Sequence, residues 1–464
     1  MSPAAEAVLA LLRPFPEDGA RADGPVAVDA TDRLLLDEAA ALLLGADGAD
    51  DEDGAARADV APGRTADDDR AVIIGDRFGA LTIGALALGV RHVDVHTDAL
   101  TAEAALDANS ALVSEPLRAA HAGGGFGFTV HDDLSAELVR GARLVLLQLP
   151  KSLAELTEIA ELVAREADPA VVLLAGGRVK HMTHAMNDVL AASFGHVSAS
   201  LARQKSRLLI AREPRADVGA PSYPVTARLT DQEIVRAATP PAGAPADATR
   251  RTALTVVAHG AAFAGAALDQ GTRFLLAQAD RWPTLPTTGP ATGPATGPAQ
   301  RPGTADPTAA QRTTAHPTTA QRTTAVDLGC GTGILATVLG LRYPGARVVA
   351  TDRSAAACAS TRATLAANGI TGTVLRDDAG STLPDRSADL VLLNPPFHDR
   401  AALSTDAAHR MFATAGRVLR PGGELWTVFN TGLHYRGALE RAVGRTEHVA
   451  QNRRFTVTRS VARA

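Results

Sequence analysis

One pattern of apolar runs and glycines occurs twice in this chain, and that repetition constrains its fold more than any other feature. Ala71-Val-Ile-Ile-Gly-Asp-Arg-Phe-Gly79 reads as a strand running into a tight turn, and Ala325-Val-Asp-Leu-Gly-Cys-Gly-Thr-Gly333 repeats it. A second strand ends at Asp98, 23 residues after Gly75; another ends at Asp352, 23 residues after Gly329. Ala142 to Ser152 (ARLVLLQLPKS) then matches Ala388 to His398 (ADLVLLNPPFH). Three correspondences in one order imply two units of common ancestry. Strands that alternate with helical stretches imply parallel α/β sheets.

The expected organisation is therefore two tandem α/β domains. The first spans 1–215. A connector at 216–250 overlaps the start of the second domain, which runs over 225–464. Two segments interrupt this plan. Residues 46–70 are rich in Asp, Ala and Gly, and 283–324 are low complexity, with repeated TGPA and two copies of AQRTTA. Such compositions cannot bury a core and are expected to be disordered.

The second glycine turn points to a nucleoside cofactor. Gly329, Gly331 and Gly333 let the backbone turn tightly and approach a ligand, and a helix starting near Ile334 turns its free N–H groups the same way. A dinucleotide site calls for G-x-G-x-x-G. Here the spacing is G-x-G-x-G, which favours S-adenosylmethionine over NAD. Asp352 can accept from both ribose hydroxyls. Asp377 and Asp378 follow a third strand at Gly372–Leu375; either can cap the next turn, and Asp378 is the one assigned to the adenine amine. Asp327 precedes the glycines and orients either the turn or the methionine amine.

Asn394-Pro-Pro-Phe397 closes the next apolar strand. The lone pair of an aromatic exocyclic amine is delocalised, so a methyl acceptor of this kind needs hydrogen-bond acceptors beside its protons. The Asn394 side-chain oxygen and the Pro395 carbonyl can supply them, on a loop that two prolines stiffen. Phe397 offers a face for stacking, worth about 1–3 kcal/mol per base. A base inside a helix would have to be flipped out to reach such a site. His398 extends the loop as a substrate contact or a structural hydrogen bonder. In the first copy, Arg77 replaces Gly331 and would place a bulky charge where the backbone should approach the cofactor, while Gln148 replaces Asn394 and Lys151 replaces Phe397, so the chemistry is lost. Arg178, Lys180 and Lys205 there are candidate RNA phosphate contacts, with solvated surface charge as the alternative.

With both halves read, the chain resembles the bacterial ribosomal RNA guanine-N2 methyltransferases of the small- and large-subunit type. The carriers are Asp76-Arg-Phe-Gly-Ala-Leu81, Leu149-Pro-Lys151, Gly176-Gly-Arg-Val-Lys-His181, Leu268-Asp-Gln-Gly-Thr-Arg-Phe274 and Asn394-Pro-Pro-Phe-His-Asp399. The resemblance implies two Rossmann-like, class I methyltransferase domains, the N-terminal one degenerate. It also implies N2-methylation of a guanine in rRNA, leaning to the small subunit, with S-adenosylmethionine as donor and Gly271 and Thr272 near its methionine end. An N-methyltransferase of DNA adenine or protein glutamine, and a non-catalytic RNA-binding or ribosome-assembly protein that keeps the fold, are the competing readings.

Composition fits that expectation. The net charge is −5, yet residues 326–464 carry 17 Arg against 11 Asp plus Glu, a basic balance suited to a phosphate backbone. The two cysteines, Cys330 and Cys358, form neither a disulfide framework nor a metal spacing, and suit a reducing, cytoplasmic setting. No metal site, membrane segment or secretion signal is expected; the partner is rRNA or a ribosomal subunit, and the protein a monomer.

Overall fold

Parallel strands sandwiched between helices must be apolar on both faces, and the central strands of each half are. In the computed structural model, which describes residues 1–15, 25–43, 70–121, 125–241, 251–285, 323–396 and 402–464, two seven-stranded sheets result. The first contains β1 (Arg70–Ile74), β2 (His92–His96), β3 (Gly127–Val130), β4 (Leu144–Gln148), β5 (Val172–Arg178), β6 (Phe194–Ala199) and β7 (Ser206–Pro214), in the order β3-β2-β1-β4-β5-β7-β6. A small hairpin of β8 (Val225–Leu229) and β9 (Leu254–Ala258) follows. The second sheet is built from β10 (Thr324–Leu328), β11 (Arg347–Asp352), β12 (Gly372–Arg376), β13 (Ala388–Leu393), β14 (Leu419–Asn430), β15 (Thr446–Gln451) and β16 (Phe455–Val461). Its order, β12-β11-β10-β13-β14-β16-β15, repeats the first, down to the antiparallel seating of β7 on β5 and of β16 on β14.

Alternation along each strand divides each half into two cores. Ile73 and Leu146 face one side of the first sheet, Val72 and Val145 the other. Leu390 and Leu392 face one side of the second, Val391 and Leu393 the other. Fully burying one such side chain contributes about 1.5–3 kcal/mol.

The repeat extends further than the sequence reading took it. Helices α1 (Pro3–Leu9) and α2 (Ala30–Leu43) precede the first sheet, with α2 packed on β5 and β7. The remaining helices of that half include α3 (Ala80–Ala87), α4 (Leu100–Leu112), α5 (Ser114–Ala120), α6 (Ala136–Val139), α7 (Leu153–Glu166) and α8 (His184–Ser193). Helices α9 (Gln232–Ala238) and α10 (Gln270–Leu276) precede the second sheet, with α10 packed on β14 and β16. There α11 (Ile334–Arg342), α12 (Ala355–Ala367), α13 (Ala402–Val418) and α14 (Arg436–Ala442) complete the set.

One correspondence needs correction. Equal spacing matched Asp98 with Asp352. The β1–β2 register, however, pairs Arg70 with His92, whereas β10–β11 pairs Thr324 with Arg347, one residue further along. The Gly75 N–H donates to the His96 carbonyl and the Gly329 N–H to that of Thr351. Thr97 therefore stands where Asp352 does, and Asp98 stands where Arg353 does. The first half has no carboxylate at the ribose position.

The halves meet through these same loops. Ala99 and Ser354, equivalent residues just ahead of α4 and α12, form an antiparallel bridge. The Leu100 N–H donates to the Arg353 carbonyl (2.9 Å) and the Ala355 N–H to the Asp98 carbonyl (2.8 Å), a reciprocal pair. The disorder expected at 46–70 and 283–324 falls on residues outside the described ones, apart from their edges. Arg70 already belongs to β1 and Thr324 to β10.

Candidate active site

In a parallel sheet a ligand cleft forms at the carboxyl ends of the strands, where the strand order reverses. In the second half that point lies between β10 and β13, and a cleft of about 290 Å³ opens there. The β10–α11 turn forms its floor. Gly331 has φ +52°, and a Cβ built there meets nothing within 4 Å, so the backbone lies open to the cleft. Gly333 has φ +78° and its Cβ position is 2.9 Å from Thr361 Cα, so α12 can approach only a glycine.

Asp352 lines the cleft at the end of β11. Its Oδ2 accepts from the Gly331 N–H (3.0 Å) and its Oδ1 from the Ser354 N–H (3.0 Å). Burial pushes its carboxyl up, and the nearby Asp98 charge adds to that. Asp327 lies beneath the turn, fully buried; Oδ2 accepts from the Ala336 N–H (2.8 Å) at the start of α11. Its Oδ1 is buried without a partner among the described residues. Burial raises its carboxyl to about 7. Asp377 lines the cleft too, with both carboxylate oxygens accepting from Ser381 and Thr382 of its own loop. Asp378 lines the cleft and pairs with Arg410 of α13. Cys330 and Cys358 are both buried and free.

Asn394 and Pro395 form the opposite wall. The Asn394 Nδ2 donates to Asp269 Oδ2 (3.0 Å) and to Thr272 Oγ1 (2.9 Å). Rotating the amide would set its oxygen against the Asp269 carboxylate, so the network fixes its orientation. Asn394 Oδ1 is buried without a partner among the described residues. Gly271 sits beside it; a Cβ there would be 3.2 Å from that oxygen. Phe397 and His398 lie outside the described residues.

The sequence reading missed Asp269. Its Oδ2 also accepts from the Gly271 N–H (2.9 Å) and the Thr272 N–H (3.1 Å), capping α10. It thus joins the chain ahead of the long insertion to the loop that ends β13. Phe263, Ala264 and Ala267, between β9 and α10, complete this side of the cleft.

The first half keeps a vestige of this arrangement. Gln148, at the position of Asn394, donates to Asp32 of α2, whose buried carboxyl is raised to about 8. Asp76 is fully buried and accepts from the Thr82 N–H (2.8 Å) and hydroxyl (2.7 Å), as Asp327 accepts from Ala336. Arg77 does not fill this site as expected: it is exposed, with its guanidinium 4.9 Å from the centre of the Phe78 ring. Lys180 and Lys205 are exposed and Arg178 half-buried at the carboxyl edge of the first sheet, where the Val179 N–H donates to the Lys205 carbonyl (2.9 Å). Among the described residues no group of His, Cys, Asp and Glu could hold a metal, and no helix is long and apolar enough to cross a membrane.

Comparisons with known proteins agree with this division. A model of the Methyltransferase small domain matches residues 311–459, and one of the RLMG N-terminal domain matches 7–215. The chain is 34% identical over 321 residues to Ribosomal RNA large subunit methyltransferase G of Streptomyces coelicolor, covering 68% of this chain and 71% of that protein. It is 32% identical over 392 residues to the protein of the same name from Streptomyces avermitilis, covering 84% and 86%. In fold it is similar to the T. Thermophilus 16S rRNA N2 methyltransferase RsmC, solved in complex with AdoMet and guanosine. That likeness has TM-score 0.60 at 19% identity and covers 94% of this chain and 92% of that one.

Proposed function

The chain belongs to the family of ribosomal RNA large subunit methyltransferase G, and from that premise we propose that it methylates the exocyclic N2 amine of a guanine in large-subunit rRNA. It is an S-adenosylmethionine-dependent rRNA methyltransferase. The lean to the small subunit has no support among these relatives, whose names carry the large subunit. The fold-related RsmC acts on 16S rRNA, but at 19% identity it speaks for fold alone.

The cleft fits S-adenosylmethionine. Gly331 leaves its backbone open, and the Asp352 carboxylate stands where ribose hydroxyls would be held. Gly329 and Gly333 complete the turn, Gly271 and Thr272 lie toward the methionine end, and Asp378 is the acceptor for the adenine amine. The bound cofactor supplies a methyl group activated by its sulfonium.

The observation that carries the reading is the unpartnered Asn394 Oδ1. Asp269 and Thr272 consume both amide protons of Asn394, which leaves only an acceptor for the substrate. An amine N–H donating to that oxygen, and the other to the Pro395 carbonyl, draws the nitrogen toward a tetrahedral, nucleophilic geometry. Phe397 stacks on the flipped base, and Arg178, Lys180, Lys205 and His398 contact the RNA beyond it. No strong general base is required, because the product ammonium is itself acidic.

Mass-spectrometric mapping of N2-methylguanosine in both rRNAs from a deletion strain tests this. One site should disappear from large-subunit RNA and return with the wild-type protein. A loss confined to small-subunit RNA, or no loss at all, would refute the assignment.

A further inference from the structure

The loop that presents Asp352 to the cleft is held from outside by the other half of the molecule. Asp98 Oδ1 accepts from the Ser354 hydroxyl (2.9 Å) and from the Ala356 N–H (2.9 Å), and the Asp98 carbonyl accepts from the Ala355 N–H (2.8 Å). Three successive residues at the start of α12 are therefore tied to one aspartate 256 positions away in sequence. Ser354 is in turn the residue whose N–H donates to Asp352 Oδ1, while its hydroxyl caps α12 through the Ala357 N–H (3.0 Å). Arg376, at the end of β12, closes the joint by donating to the Thr97 carbonyl (2.7 Å) and pairing with Glu103 (2.6 Å). Asp98 does nothing comparable for its own half: the N-cap of α4 is Ala99, and no side chain caps that helix.

We infer that Asp98, contributed by the degenerate half, is a positioning residue for cofactor binding in the catalytic half. It fixes the first turn of α12 and, through Ser354, the aim of the Asp352 carboxylate at the ribose. The inference rests on S-adenosylmethionine occupying the cleft. It assigns the degenerate half a part in cofactor affinity that is separate from any contact with RNA. Arg353 holds the equivalent position in the catalytic half, and its side chain cannot accept a hydrogen bond. Of the two equivalent loops, only that of the half without chemistry therefore offers a side-chain acceptor to the other's helix start.

The test uses the full chain and two substitutions. Asp98→Ala removes the acceptor for Ser354 and Ala356. Asp98→Asn keeps an oxygen in its place, and Oδ1 alone receives both bonds. S-adenosylmethionine affinity is measured by calorimetry, and methyl transfer to rRNA at saturating cofactor gives kcat. Asp98→Ala should weaken cofactor binding at least five-fold and raise its KM in step, with kcat within two-fold of the parent. Asp98→Asn should bind within two-fold of the parent. A purely structural role would lower the melting temperature without this split between KM and kcat. Equal cofactor affinity in parent and Asp98→Ala, or equal weakening in both variants, would overturn the inference while leaving the proposed function standing. A parent that binds no S-adenosylmethionine would sink both.

Discussion

Replacing Asp269 by Ala should damage stability and catalysis by separable amounts. Asp269 Oδ2 receives three N–H groups: those of Gly271 and Thr272 at the start of α10, and the Asn394 amide. Losing the first two is the loss of a helix cap, about 1 kcal/mol and at most about 2. Losing the third leaves Asn394 held by Thr272 Oγ1 alone. A hydrogen bond to a charged acceptor contributes about 1.5–3 kcal/mol. If that energy is what keeps Asn394 Oδ1 aimed at the amine, its loss slows turnover by about 10- to 150-fold, at 1.36 kcal/mol per factor of ten. Denaturant unfolding gives the first quantity and single-turnover methyl transfer at saturating cofactor the second. Asp269→Asn, which can keep an oxygen at the position of Oδ2, should recover most of both. A variant that loses stability as expected yet turns over within two-fold of the parent would show that Asp269 does not aim Asn394, and the mechanism built on that amide would fall with it.

Gly331→Arg should abolish S-adenosylmethionine binding in calorimetry while costing the apoprotein only about 1–2 kcal/mol for the left-handed backbone; retained binding would place the cofactor elsewhere. Asp327, Asp32 and Glu155 have carboxyls raised to about 7, 8 and 7 by burial. Groups raised in the folded state bind protons more tightly there, so their stabilisation is full below the unfolded value near 4 and is lost as pH climbs through 7 to 8. The apoprotein should therefore melt higher at pH 6.5 than at pH 8.5, and Asp327→Asn should flatten that slope; a melting temperature that rises with pH over this window would contradict the assignment. Lys180→Ala with Lys205→Ala should weaken rRNA binding and reduce the salt slope by about one to two counterions, with cofactor affinity unchanged; an unaltered slope would remove those lysines from the RNA path.

Local features of the fold could be read from the chain because they are written in neighbouring residues. The glycines at 329, 331 and 333, the strand ending at Leu393 and the start of α11 at Ile334 all follow from short windows of sequence. What could not be read depends on pairing between distant segments. Asp269 precedes Gln-Gly-Thr and looks like an ordinary helix cap; only the fold brings Asn394, 125 positions later, onto the same oxygen. Counting residues matched Asp98 to Asp352, but strand register, which is set by packing, moved the match by one. Asp377 and Asp378 are adjacent and alike in sequence and both line the cleft, and the fold separates their partners: Asp377 accepts from Ser381 and Thr382 of its own loop, while Asp378 pairs with Arg410 of α13. Arg77 looked like an obstruction, but its long side chain lies outward over Phe78.

The bridge between Ala99 and Ser354 carries two mirrored backbone bonds. Contacts in which residue i of one unit meets residue j of the other, and j meets i, are what a twofold axis imposes on identical subunits. The seam inside this single polypeptide has the form of a homodimer interface, with each subunit bracing its twin. In a seam of that form, the bracing surface is the part of the degenerate copy expected to tolerate least change.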